Sequence, residues 1–169
     1  EKERKKWDVY ALYVVNHQRG IEPTRRENLP FNSRQIEDAI SDERGLLTTW
    51  QLYSIFHAIE LGVITKEKVR KDILQYGNVS FTPDLVCELN KPYQQWKEGI
   101  IWGLEINTPI SVQDKIFVVK DGCWSSAEII SIQQEKISYQ TISNGKVGIE
   151  LSQKLPSGKI YLKHIENNK

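Results

Sequence analysis

Methionine is absent from the 169 residues, and cysteine is scarce at two. Cys87 and Cys123 stand far apart, and with the three histidines His17, His57 and His164 they make no ligand spacing of the zinc type. Two isolated thiols fit a reducing compartment. An excess of charge of either sign is also missing: 23 Lys and Arg face 22 Asp and Glu, a net charge of +1. No global basic field calls for nucleic acid, so any such contact has to be a local patch. No apolar run reaches membrane-spanning length and no signal peptide opens the chain, so no membrane partner is expected and the cytoplasm is the default location. There is no G-x-S-x-G elbow, no phosphate loop ending in Lys-Ser or Lys-Thr, and no G-x-G-x-x-G, which removes those routes to acyl transfer and nucleotide binding. The missing methionine and the charged opening Glu1-Lys2-Glu3-Arg4-Lys5-Lys6 raise the expectation of a fragment of a longer protein.

What is present is well punctuated. Gly45-Leu46-Leu47 reads as a short buried strand running straight into a helix. Thr48 and Gln51 fit a capping box, Leu52, Ile55, Phe56 and Ile59 form an apolar face, and Gly62 supplies the stop. A strand feeding a capped helix is half of an α/β layer. Upstream, the run from Val9 to Val15 suits a strand buried on both faces. A polar loop through Asn16, Arg19, Arg25 and Arg26 follows, at the end of a buried strand, where α/β proteins place working residues. Asn32 or Ser33 caps a helix to about Ser41, and Thr65 caps another to about Leu74. Lys66, Lys68, Arg70 and Lys71 on that last helix fit a solvated face better than the second helix of a DNA-binding helix-turn-helix.

From Ile110 the pattern is all β. Strands are predicted at 115–120, 127–132, 137–142, 147–151 and 159–163, with turns at Asp121-Gly122, Asn144-Gly145 and Pro156-Ser157-Gly158. Closure into a small barrel would remove their edges. The stretch 79–99 has two prolines, several aromatics and no clean period, and reads as a connector. The predicted fold class is therefore α+β: an N-terminal strand/helix α/β portion packed with helices, then a small antiparallel β-barrel. The division is 1–77, a connecting segment 78–107, and 108–169.

Metal-dependent hydrolysis of the restriction-enzyme type needs an aspartate followed by Glu-x-Lys on a neighbouring strand. Glu3-Arg4-Lys5 has the letters without an aspartate before it, and Pro83-Asp84 with Glu88 and Lys91 has the wrong spacing. No catalytic or metal-binding residue is assigned.

Two resemblances extend this reading. Val14 to Arg19, Pro23 to Arg25, Phe31 with the helix after it, and Gly45 to Tyr53 together resemble the C-terminal part of restriction-endonuclease-like domains of the PD-(D/E)xK kind. Residues 1 to about 75 would be that second part, and the family's carboxylates and lysine have no counterpart here. Ile110 to Val119, Asn144 to Leu151 and Ile160-Tyr161-Leu162 are similar to the β-barrel second domain of translation elongation GTPases, a docking surface for a neighbouring domain or RNA. The resemblances imply a noncatalytic C-terminal region of a bacterial nuclease or nuclease-derived defence protein, with Mg²⁺ belonging to the longer protein and no cofactor in this chain. DNA, RNA or a neighbouring domain of the same protein is the expected partner. Asn16, Arg19, Arg25, Arg26, Thr48 and Thr49 are the expected nucleic-acid contacts, the two threonines at a helix N-terminus where phosphate is favoured. Trp124, Tyr139 and Tyr161 could stack on bases if exposed. The alternative is a protein-interaction or oligomerisation module, favoured by the near-neutral charge.

Overall fold

The computed structural model describes residues 9–27 and 30–165. The charged opening 1–6 lies outside them. Six elements build the first unit: β1 (Ala11–Val15), α1 (Ser33–Ser41), β2 (Arg44–Thr48), α2 (Thr49–Glu60), α3 (Lys66–Asp72) and β3 (Gly77–Asn78). The strands form a parallel sheet in the order β1-β2-β3, with Tyr13 opposite Leu46 and Val15 opposite Thr48.

Each helix begins for a local reason. Asn32 and Gln35 bond reciprocally at the start of α1, and Thr48 and Gln51 do the same at α2, so each pair satisfies two amides that the first turn leaves free. Thr65 accepts from the Lys68 amide at α3. Gly62, at φ 68°, takes the left-handed step that ends α2.

Two expectations about this unit are corrected. β1 is not buried on both faces: Tyr13 is 60% and Val14 42% exposed. A parallel strand is covered only when it has a neighbour on each side and helices on both faces, and among the described residues β1 pairs with β2 alone. Phe56 also leaves the apolar face of α2 and stands 60% exposed, while Ala58 is buried and Ile55 and Ile59 pack beside it.

The second unit is β-rich: β4 (Cys87–Leu89), β5 (Gln94–Trp96), β6 (Ile101–Ile106), β7 (Ile110–Ser111), β8 (Lys115–Lys120), β9 (Cys123–Gln134), β10 (Ile137–Tyr139), β11 (Thr141–Ile142), β12 (Gly145–Leu151) and β13 (Lys159–Lys163). Eight of these form one curled half-barrel sheet in the order β4-β13-β8-β9-β12-β6-β5, with β10 on β9, while β7 and β11 pair separately. The α+β class holds at this level. The sheet's path ends at β4 and β5. The stretch 78–107, expected to connect, contributes β4, β5 and β6 to this sheet.

Asp121-Gly122 turns β8 into β9 as expected, both residues at positive φ. Asn144-Gly145 does not close a hairpin, because the strands on either side of it belong to different sheets. The other tight hairpin lies at Glu135-Lys136, φ 50° and 68°, between β9 and β10. Neither residue is a glycine, and the pairing of Gln134 with Ile137 holds both in the left-handed region.

Alternation along β8 divides the core. Ile116 and Val118 point into the half-barrel with Trp102, Ile129, Ile149 and Leu162. Phe117 points the other way and packs with Ala58, Val63, Ile64 and Tyr161, so one apolar cluster joins the two units. Trp50 Nε1 reinforces this seam by donating to the Asp121 carbonyl at 2.9 Å. The buried carboxylate of Asp114 is satisfied by the Ser111 and Ile165 amides at 2.9 and 3.1 Å and by His164 Nδ1 at 2.9 Å.

Burial raises the pKa of Tyr161, with the charge of Glu88 adding to it; burial likewise raises that of Tyr10, with Tyr76 adding. A folded-state pKa above the unfolded one means that the folded chain holds those protons longer. The stabilisation is complete below the ordinary tyrosine pKa of 10.0 and is lost as pH rises through the folded value. Denaturant melts between neutral pH and about pH 11 are expected to show a plateau and then a decline, shallower in Tyr161→Phe. An equally steep decline in that variant would contradict the assignment.

Candidate functional site

The carboxyl ends of β1 and β2 lie side by side, and α2 starts from the second of them. This is the edge at which open α/β sheets bind ligands. Asn16 follows β1 directly, and its Oδ1 accepts from Arg26 Nη1 at 3.0 Å and from Thr49 Oγ1 at 3.3 Å. Arg26 also donates through Nε to the Ile21 carbonyl at 2.8 Å. The loop between them is closed on itself: His17 Nε2 donates to the Glu27 carbonyl and the Glu27 amide to Gln18 Oε1, both at 2.9 Å.

Of the six expected contact residues, three are thus joined: Asn16, Arg26 and Thr49. Thr48 is 2% exposed with its hydroxyl engaged by the Gln51 amide, so its side chain serves as the helix cap. Arg25 pairs with Glu22 at 3.4 Å, both well exposed, an arrangement that contributes little to stability and is easily exchanged for another anion. Arg19 is exposed on the same loop. The first turn of α2 carries no acidic side chain, which leaves its positive dipole end unopposed.

Beside this edge a cleft of about 370 Å³ opens between the two units. His17, Trp50 and Phe81 line it from the first side, and Trp124, Lys159 and Tyr161 from the second. Trp50 stacks on Tyr53, ring centroids 5.1 Å apart and 12° from parallel. Of the aromatics expected as possible base platforms, Tyr161 is buried in the seam, Trp124 packs against it at 5.6 Å between centroids, and Tyr139 stands on β10 away from the cleft lining. Sequence reading did not find Trp50 or Lys159 as site residues. Their only signal is distance along the chain, and the seam that brings them together is a tertiary fact.

A larger cavity of about 850 Å³ lies between Leu61 and the β4–β13 pair. Several of its charged groups are held by local structure: Asp84 by the Thr65 amide and hydroxyl, Lys163 Nζ by the Gly62 carbonyl, His164 by Asp114. Among the described residues, no three His, Cys, Asp or Glu side chains gather as metal ligands, and no helix is long and apolar enough to cross a membrane. No protein-family model matches the chain, and no curated protein matches it.

Proposed function

We propose that the chain is a noncatalytic docking region for nucleic acid, of the kind the nuclease resemblance implies, which meets the phosphate backbone along the carboxyl ends of β1 and β2. The observation that carries this reading is the shared Asn16 oxygen, which ties a loop guanidinium to the first residue of α2 and so sets the donors of both on one rim. Arg19 and Arg25 extend the rim, the α2 N-terminus adds a favourable dipole, and Trp50 and Lys159 line the adjacent cleft. Barrel-like closure of the β unit as a partner surface belongs to the same proposal.

Labelled single- and double-stranded oligonucleotides titrated across a salt series test it. Affinity should fall with salt at a slope of about −0.7 per phosphate contact for single strands and about −0.9 for duplex. Arg19→Glu with Arg25→Glu, both surface changes, should weaken binding and cut the slope by about 2. No binding at low salt removes the reading.

A second reading, a protein-docking region, is favoured by one specific observation: the exposed β1 strand. Among the described residues no strand pairs with its outer edge, and that edge with the apolar Tyr13 and Val14 suits a further strand supplied by a neighbouring domain.

A further inference from the structure

The half-barrel has a gap in its ladder. β4 and β5 end the sheet's path, yet Asn90, Lys91, Pro92 and Tyr93 join them, so the chain itself bridges the two ends. β5 pairs with the first half of β6, from Gln94 with Gly103 to Trp96 with Ile101, and the Tyr93 amide adds a bond to the Gly103 carbonyl at 2.9 Å. There the pairing stops. Among the described residues, 104–106 of β6 have β12 on one side and no strand on the other, and Cys87–Leu89 have β13 on one side and no strand on the other. The cavity of about 850 Å³ touches both edges, with Val86 and Cys87 lining it at β4 and Thr108 just past the end of β6.

An open edge presents a row of N–H and C=O groups that a further strand can pair. The cavity lining says what kind of strand. Leu61, Val86 and Leu162 make it apolar, and Leu85 and Ile165, 44% and 41% exposed, are apolar side chains left in water beside them. Its charges are unbalanced. Lys115 and Lys163 stand directly opposite one another across the β8–β13 ladder, an arrangement that costs stability. Lys163 Nζ donates to the Gly62 carbonyl, a neutral acceptor, and Lys115 has no ion pair among the described residues. The carboxylate of the lining, Asp84, is taken up by the Thr65 amide and hydroxyl, and His164 is held by Asp114. Two lysines of the lining are thus left without a counter-charge.

We infer that this gap receives one extended peptide strand of a partner protein, hydrogen-bonded to the open edges of β4 and β6 and carrying acidic side chains toward Lys115 and Lys163. Main-chain pairing supplies the affinity of such an added strand and its alternate side chains the selectivity. Apolar residues at the intervening positions cover Leu85 and Ile165. A nucleic-acid strand answers the lysines and not the edges, because it has no main chain to continue a ladder. The site shares no residue with the phosphate rim or with β1, so it stands independently of both readings above.

The probe is an eight-residue peptide of alternating Val and Glu with both ends capped, titrated into the full chain and followed by NMR. Outward-facing amide protons of residues 87–89 and 104–106 should exchange at least about tenfold more slowly when it is bound. A Val and Lys peptide of the same length should bind at least about tenfold more weakly, and Lys115→Glu, a change at an exposed position, should reverse the order of the two. A Val and Glu peptide with N-methylated valines keeps the charges and loses half its donors, and should not bind. No slowing at either edge with the Val and Glu peptide, or equal binding of the Val and Lys peptide, overturns the inference. So does binding of the N-methylated peptide, which would make the gap a charged groove with no ladder in it. Sedimentation reads the remaining occupant: a dimer with both edges protected before any peptide is added would give the gap to a second copy and overturn the inference as well.

Discussion

Replacing Phe117 by alanine is expected to cost about 3–5 kcal/mol of unfolding free energy, the range for a fully buried aromatic truncated in a core that cannot collapse around the gap. Phe117 is 1% exposed. It is also the side chain of β8 that leaves the half-barrel and enters the cluster of Ala58, Val63, Ile64 and Tyr161. The cavity would therefore open on the seam, with the α2 terminus on one wall and β13 on the other. Collapse is resisted from both sides, because β8 is hydrogen-bonded to β9 and β13 on its two edges. Denaturant melts followed by far-ultraviolet circular dichroism and by tryptophan emission read the effect, since Trp50 and Trp124 both lie along this seam. The control is Ile130→Ala on β9, 49% exposed, which should change stability by no more than about 0.5 kcal/mol. A Phe117→Ala cost below about 1 kcal/mol would mean the two units are not packed as described.

Gly158→Ala should be of comparable severity for a different reason. A Cβ there would lie 2.2 Å from the Val119 carbonyl oxygen and 2.9 Å from Val118 Cγ1. The first of these is backbone within the β8–β13 pair and cannot rotate away, so the strand itself has to move. Forcing the start of β13 off β8 disturbs the register that sets Lys159 against Val119 and Ile160 against Val118. A loss of about 3 kcal/mol is expected, at the upper end of overpacking costs, which lowers the melting temperature by roughly 6–12 °C for a chain of this size. Gly148→Ala on β12 is the contrast. Its nearest neighbour would be the Gln133 carbonyl at 3.8 Å, an ordinary contact, and little change is expected. If the two variants melt alike, the close approach at Gly158 is wrong.

How far the sequence could be read follows from the range of the forces involved. Thr48 and Gln51, and Asn32 and Gln35, sit three residues apart, and their reciprocal bonds form wherever the chain turns helical, so caps and helix starts were legible. The strands after residue 110 announced themselves through β-branched runs and turn pairs. β4 and β5 did not: each is three residues long, and Gln94, Gln95 and Trp96 are all exposed, so no buried face shows as alternation. Phe56 and Tyr13 are apolar letters in the right period, and their exposure is set by which elements pack beside them, a tertiary fact. The candidate site is legible only as far as its loop: Asn16, Arg26 and Thr49 follow from strand ends and a helix start, whereas Trp50 and Lys159 gain their meaning from neighbours far along the chain.

The position of β13 sets an order on synthesis. Residues 159–163 lie between β4 and β8, and among the described residues β4 has no other strand beside it. A nascent chain that has emerged only as far as Ser157 therefore holds β4 without a partner and β8 with one open edge. The ladder that unites Cys87–Leu89 with the half-barrel spans some seventy residues of chain, and it forms only after β13 leaves the ribosome. The first unit, whose pairings run β1 to β2 to β3 in order of appearance, has no such wait. The two units thus complete their sheets on different schedules, the first from strands that follow one another closely and the second only once β13 has been made.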